Sequence, residues 1–237
     1  MQIAIDIETV PSQEPHALEE VRSTITPPAT LKKPESIAAW WDTEADAAAD
    51  AAWRKQSLDG GSRGEIISIA VCKVEDPDQN WVRCRAQGES EAALLREFFA
   101  VVEEWERAFA ATLPAVPSAW PYDPPWPVAH NASFDLGFLW RRARVLGVPT
   151  PRWLPSPTAR VGKDYGCTML TWAGYGGRVS LDSLCRALSI PSPKDTGMTG
   201  AQVFDAWLAG DHTDIATYNL ADATATADVW QRLQGGC

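Results

Sequence analysis

The sequence lacks an uninterrupted apolar run of about 18 residues, the length a membrane-spanning helix needs, so no membrane partner is expected. No basic leader or apolar signal core precedes the first strand-like segment, and the expected location is cytoplasmic. Cys-x-x-Cys pairs are absent. The five cysteines (Cys72, Cys84, Cys167, Cys185 and Cys237) are odd in number and widely spaced, which argues against a zinc site and a disulfide framework and for free thiols in a reducing compartment. Internal repeats are missing as well. An excess of cations is also lacking: the formal net charge of −10 argues against a protein that coats nucleic acid through broad electrostatics. An enzyme with a local basic patch stays open, because two divalent ions would offset four of those charges.

What is present suffices for a sizeable core. At 237 residues and 45% hydrophobic composition, the chain fits one large domain, or one domain with an insertion. Its twelve tryptophans suit core and loop packing, with a minority free to stack on bases.

The chain opens on Gln2-Ile3-Ala4-Ile5-Asp6-Ile7-Glu8-Thr9, an apolar run that reads as a strand buried on both faces. Asp6 and Glu8 interrupt it. Residues i and i+2 of a strand share a face, so both acids point to one place, where two like charges are costly without a cation. Mg²⁺ or Mn²⁺ would compensate, being partial to carboxylate oxygens. A strand end with its acids in solvent is the competing reading.

An irregular acidic stretch follows, then proline-rich Thr26 to Pro34. A helix capped by Ser36 is expected from Ile37 to about Ser57. Residues 11–62 thus read as a helical insertion, closed by turn residues Asp59-Gly60-Gly61-Ser62. Glu65–Val74 is the strongest strand, Asp76–Asn80 a turn, and Trp81–Arg85 its antiparallel return. Ser90 caps an amphipathic helix through Leu94, Phe98 and Trp105. Pro114–Pro127, with Trp120, Tyr122 and Trp126, reads as a loop at a cleft rim. Val128–Asn131 is a short strand, and a helix from Ser133 ends at Gly147.

Asp135 falls in the first turn of that helix, which suits either an acid favoured by the helix dipole or a site residue. Arg141, Arg142 and Arg144 fit a phosphate-facing patch or a solvated face. Residues 149–166 and 191–200 are loops, Ser180 caps Leu181–Leu188, and a helix passes through Val203, Phe204 and Trp207. The last helix runs from near Asp211 or Thr213 to Leu233. Tyr218 and Asp222 stack on one of its faces with Ile215 and Ala225, either as a structural hydrogen bond or as part of a site.

Each motif alone is weak, but their order is informative. Asp6-x-Glu8, Asn131-x-x-Phe134-Asp135 and Tyr218-x-x-x-Asp222 resemble the three motifs of the DEDD 3′–5′ exonucleases, in the variant whose third motif carries tyrosine. More narrowly, the chain resembles the predicted 3′–5′ exonucleases related to the exonuclease domain of B-family DNA polymerases. Thr26-Pro27-Pro28, Glu65–Ile69, Ser180–Leu184 and Ile215–Tyr218 support that likeness. Residues 80–127 and 149–166 are its weakest stretches, and Cys167 stands where such proteins often carry another acid.

The resemblance implies an α/β, RNase H-like fold, with a central mixed sheet containing one antiparallel strand and helices on both faces. It implies a single exonuclease domain over 1–237 that gathers Asp6, Glu8, Asp135 and Asp222 around two divalent ions, Mg²⁺ or Mn²⁺. By the same likeness Tyr218 orients the attacking water, while Thr9, Asn131 and Phe134 touch substrate, Phe134 by stacking on a base. The implied partner is the 3′ end of single-stranded DNA, from which nucleoside 5′-monophosphates are released in a replication or repair setting. RNA 3′ ends and an inactive nucleic-acid-binding module are the alternatives.

Overall fold

The computed structural model describes residues 1–113 and 123–235. The expected rim loop with Trp120 and Tyr122 falls largely outside these residues, as does Cys237. Of that loop, Trp126 and Pro127 belong instead to a strand.

Five strands form one sheet: β1 (Gln2–Val10), β2 (Glu65–Lys73), β3 (Asp76–Cys84), β4 (Trp126–Ala129) and β5 (Gly166–Cys167). Their order is β3-β2-β1-β4-β5. β2 is antiparallel to both β1 and β3, whereas β4 runs parallel to β1 and β5 parallel to β4. One strand, β2, therefore opposes the other four.

Alternation along β1 divides the molecule. Ile3, Ile5 and Ile7 face one way and join a core with Leu94, Phe98 and Val102 of α4 (Glu91–Ala111) and Leu136, Leu139 and Ala143 of α5 (Ala132–Val145). Ala4 faces the other way, where Ala70 and Cys72 of β2 meet Ala223, Ala227 and Trp230 of α9 (His212–Leu233). The alanines on both sides of this second interface let α9 lie close to the sheet. Helices thus cover both faces, an arrangement consistent with an RNase H-like fold.

Several elements differ from expectation. The stretch before Thr26 contains a helix, α1 (Ala17–Thr24), in which Ala17 is buried and most other residues are exposed, so its apolar signal is faint. The single alanine-rich helix is two, α2 (Pro34–Thr43) and α3 (Ala45–Arg54), followed by a 3₁₀ turn (Lys55–Leu58). Pro34 begins α2, because proline suits a first turn whose N–H needs no partner, and Ser36 lies inside rather than capping. The presumed turn Asp76–Asn80 is part of β3, with Asp76 opposite Lys73 and Asn80 opposite Cys72. β3 is an edge strand, where Pro77 is tolerated.

The remaining helices are α6 (Thr168–Ala173), absent from the sequence reading, α7 (Leu181–Leu188) and α8 (Val203–Ala209). Ser90 and Ser180 do accept capping bonds from the amides of Ala93 and Ser183.

Candidate active site

β1 and β4 both point their carboxyl ends toward one edge of the molecule. Register places Ala4 beside Val128, so Asp6 and Glu8 extend beyond the last residue of β4, level with the turn His130–Asn131 and the start of α5. Asp6 and Glu8 share the β1 face that α9 covers. On α9, the buried residues Ile215, Asn219, Asp222, Ala223 and Ala227 recur at three- and four-residue spacing, which turns Asp222 toward the same place.

Asp6, Glu8 and Asp222 each offer a carboxylate oxygen, and these oxygens lie within 4.8 Å of one another. Asp135, buried in the first turn of α5, stands beside them and accepts bonds from its own amide and that of Ile7. Its charge is felt by both Asp6 and Glu8. Tyr218 bonds to Asp222 one turn along the helix.

The electrostatics follow from this crowding. Burial, then the neighbouring carboxylates, hold Asp6 and Glu8 well above the usual carboxylate range. Burial pushes Asp135 up to about 7. It lifts Asp222 to about 6 against the bond from Tyr218 and the charge of Lys194. Burial and the surrounding acids push the Tyr218 hydroxyl above its ordinary value, so it keeps its proton and acts as a donor. Hard oxygen donors, converging and short of countercharge, are the donor set a divalent cation of the Mg²⁺ or Mn²⁺ kind prefers.

The other candidates lie on the same elements and also make local contacts. The Thr9 hydroxyl donates to the Ser57 carbonyl at 2.7 Å, fastening the end of β1 to the helical segment. A Cβ on nearby Gly64 would lie 2.2 Å from the Gln56 carbonyl oxygen, so only glycine permits that close return to β2. Asn131 is exposed, and its carbonyl accepts from the Phe134 amide at 2.7 Å. Phe134 is half-buried, its ring 5.4 Å from that of Phe138. The three arginines of α5 do not form one patch. Arg142 is buried and paired with Glu91, Arg141 donates to the Gly60 carbonyl, and Arg144 lies over the Trp140 ring. Cys167 is buried in β5, its thiol directed at the His130 carbonyl.

Sequence reasoning passed over two residues. Asn219, fully buried, donates to Asp6 Oδ2 at 2.6 Å and accepts from the Ser68 hydroxyl at 2.8 Å. Ser68 lies opposite Glu8 in the sheet, so this relay joins β2, α9 and β1. The signal was a polar residue three before Asp222 on the buried face. Lys194, in a 3₁₀ turn (Pro193–Thr196), supplies the cationic influence on Asp222, and its loop position carries no such signal.

The molecule is therefore an α/β protein with an acidic cluster where its first strand meets its last helix. Residues 121–235 match the family described as predicted 3′–5′ exonuclease related to the exonuclease domain of PolB, as the sequence resemblance led us to expect. That span includes Asp135, Tyr218 and Asp222, with Asp6 and Glu8 lying outside it. No curated protein and no solved structure matches the chain.

Proposed function

We propose that the chain is a metal-dependent 3′–5′ exonuclease that removes nucleoside 5′-monophosphates from the 3′ end of single-stranded DNA. The observation that carries this reading is the convergence of Asp6, Glu8 and Asp222, with Asp135 beside them, in the same chain as the family match. The whole of 1–237 would act as one domain, with residues 11–62 inserted after the first strand.

Asp6, Glu8, Asp135 and Asp222 would hold two divalent ions, Mg²⁺ or Mn²⁺. Such ions, when bound, stabilise developing charge on phosphoryl oxygens and make water a stronger nucleophile near neutral pH. The chain's own contribution is positional. Asn219, itself fixed by Ser68, holds Asp6 in one orientation. Tyr218, kept protonated, would orient the attacking water through its hydroxyl and, holding its proton, would not serve as the base. Lys194 would temper the negative charge at the Asp222 side. Thr9, Asn131 and Phe134 would contact the terminal nucleotide, Phe134 through the exposed part of its ring.

The test uses end-labelled single-stranded DNA and RNA of matched sequence with Mn²⁺ and an EDTA control. Stepwise shortening of the DNA from its 3′ end, stopped by EDTA, is expected, with RNA shortened more slowly. Intact strands under conditions where the protein binds them would overturn the proposal.

A further inference from the structure

We propose that residues 168–179, presenting Trp172, Tyr175 and Arg178, form a track that binds the unpaired strand of a nucleic acid on its way to the carboxylate cluster. The inference rests on the nuclease reading only for the chemistry at the end of the track.

Position is the first support. Both ends of the segment are fastened to His130, the residue that follows β4. His130 Nδ1 bonds the Thr168 hydroxyl at 2.9 Å, its carbonyl accepts from the Met169 amide at 3.1 Å, and its Nε2 bonds the Val179 carbonyl at 2.9 Å. His130 is five residues before Asp135. Four residues separate Tyr175 from Val179, so their backbones lie no more than about 14 Å apart. The exposed aromatics are thus within a few nucleotides of the cluster.

Chemistry is the second. Trp172, near the end of α6, is 49% exposed, and Tyr175, 87% exposed, lies in the loop that follows, whose Gly174 and Gly176 adopt positive φ of 75° and 81°. Glycine takes such a backbone conformation without steric cost, which lets the chain turn on both sides of Tyr175. Single exposed aromatics are ordinary, but two at i, i+3 with an exposed arginine three further on offer flat faces for bases and a cation for a phosphate. Tyr165, three residues before Thr168, lines a cavity of about 120 Å³ with Ala132, Ser133 and Arg141 of α5. An aromatic side chain next to the segment thus stands at the first turns of the helix that carries Asp135.

Charge is the third. In a chain of net charge −10, residues 141–180 carry seven cations and one acid, Asp164. Arg142 is consumed by Glu91, but Arg144, Arg160, Lys163 and Arg178 are exposed. Lys163 lines a hollow with Met1 and Gln2 at the other end of β1, so Arg178 is the cation that the segment itself offers to a phosphate.

The experiment measures affinity for fluorescein-labelled oligo(dT) and oligo(U) by anisotropy in Ca²⁺, which occupies carboxylate sites without supporting turnover. Trp172→Ala/Tyr175→Ala is expected to weaken binding roughly tenfold or more, and Trp172→Phe/Tyr175→Phe to retain it, because stacking needs the ring and not the hydroxyl. Arg178→Ala should reduce the slope of log affinity against log salt by about 0.7. Hydrolysis of thymidine 5′-monophosphate p-nitrophenyl ester, which reaches the cluster alone, should be unchanged in all three. Unchanged oligonucleotide affinity in the double alanine variant, or an equal loss on the small ester, would overturn the track. If the wild-type protein hydrolyses neither substrate the nuclease reading fails, and the affinity comparison still decides the track.

Discussion

Two groups of carboxylates in this molecule, each part buried and part half-buried, are treated in opposite ways. Glu91, at the start of α4, is answered on every side: Arg142 Nη2 approaches it at 2.6 Å, Arg142 Nε at 2.9 Å, and the Ile66 amide donates at 2.9 Å. Arg85 and Glu65 form a second such pair nearby. Asp6, Glu8, Asp135 and Asp222 have no guanidinium partner among the described residues, and each is held above its ordinary pKa. A paired buried charge links elements and completes itself. A crowded, partly buried cluster of one sign has no such answer within the described residues, which is why it reads as a candidate site.

The contrast can be broken from either side. The largest expected effect is on Asp6→Ala, which should lower turnover by several orders of magnitude while circular dichroism and melting show an intact fold. Near-normal rates in the folded variant would remove the proposed site. Arg142→Ala should do the reverse. It strands Glu91 and is expected to cost about 3–5 kcal/mol of stability in denaturant unfolding, with little change in turnover below the melting transition.

Finer cuts separate roles within the cluster. Tyr218→Phe removes the donor but not the ring, so turnover is expected to drop roughly 10²-fold while Mn²⁺ affinity by calorimetry barely moves. Lost metal binding would make the tyrosine structural. Asn219→Ala frees Asp6 from its relay and should weaken Mn²⁺ about 10–100-fold, with Ser68→Ala a milder version of the same change. Equal affinity in a folded Asn219→Ala protein would reduce the relay to packing.

The smallest effect is on pH dependence. Asp135 and Asp222 have higher pKa values folded than unfolded. Their contribution to stability is therefore complete below about pH 4 and is lost as pH rises through about 6 and 7. Metal-free protein should melt a few degrees lower at pH 8 than at pH 5. Mg²⁺ should close that gap, since it binds the deprotonated cluster and stabilises the folded state by mass action. A melting temperature that rises with pH in EDTA would contradict the electrostatic account.

Much of this was legible in the sequence because it rests on local signals. The apolar run around Asp6 and Glu8, the Ser90 and Ser180 caps, and the Tyr218–Asp222 spacing each follow from periodicity or capping. What escaped depends on tertiary context. Arg142 cannot be told from an exposed helix arginine until Glu91 is seen across from it. Asn219 gains its meaning from Ser68 and Asp6, which are 151 and 213 residues away in the chain. The Asp76–Asn80 segment has turn chemistry, yet strand pairing at an open edge overrides it. α1 and α6, at 8 and 6 residues, are too short for a periodic pattern to emerge.

The most direct test is a calorimetric titration of Mn²⁺ into the wild-type protein and Asp6→Asn at pH 8, repeated at pH 5. The account predicts binding to the wild type that weakens at pH 5, where protons compete for the carboxylates, and is lost in Asp6→Asn. Undiminished binding in the variant, or none to the wild type at pH 8, would contradict it.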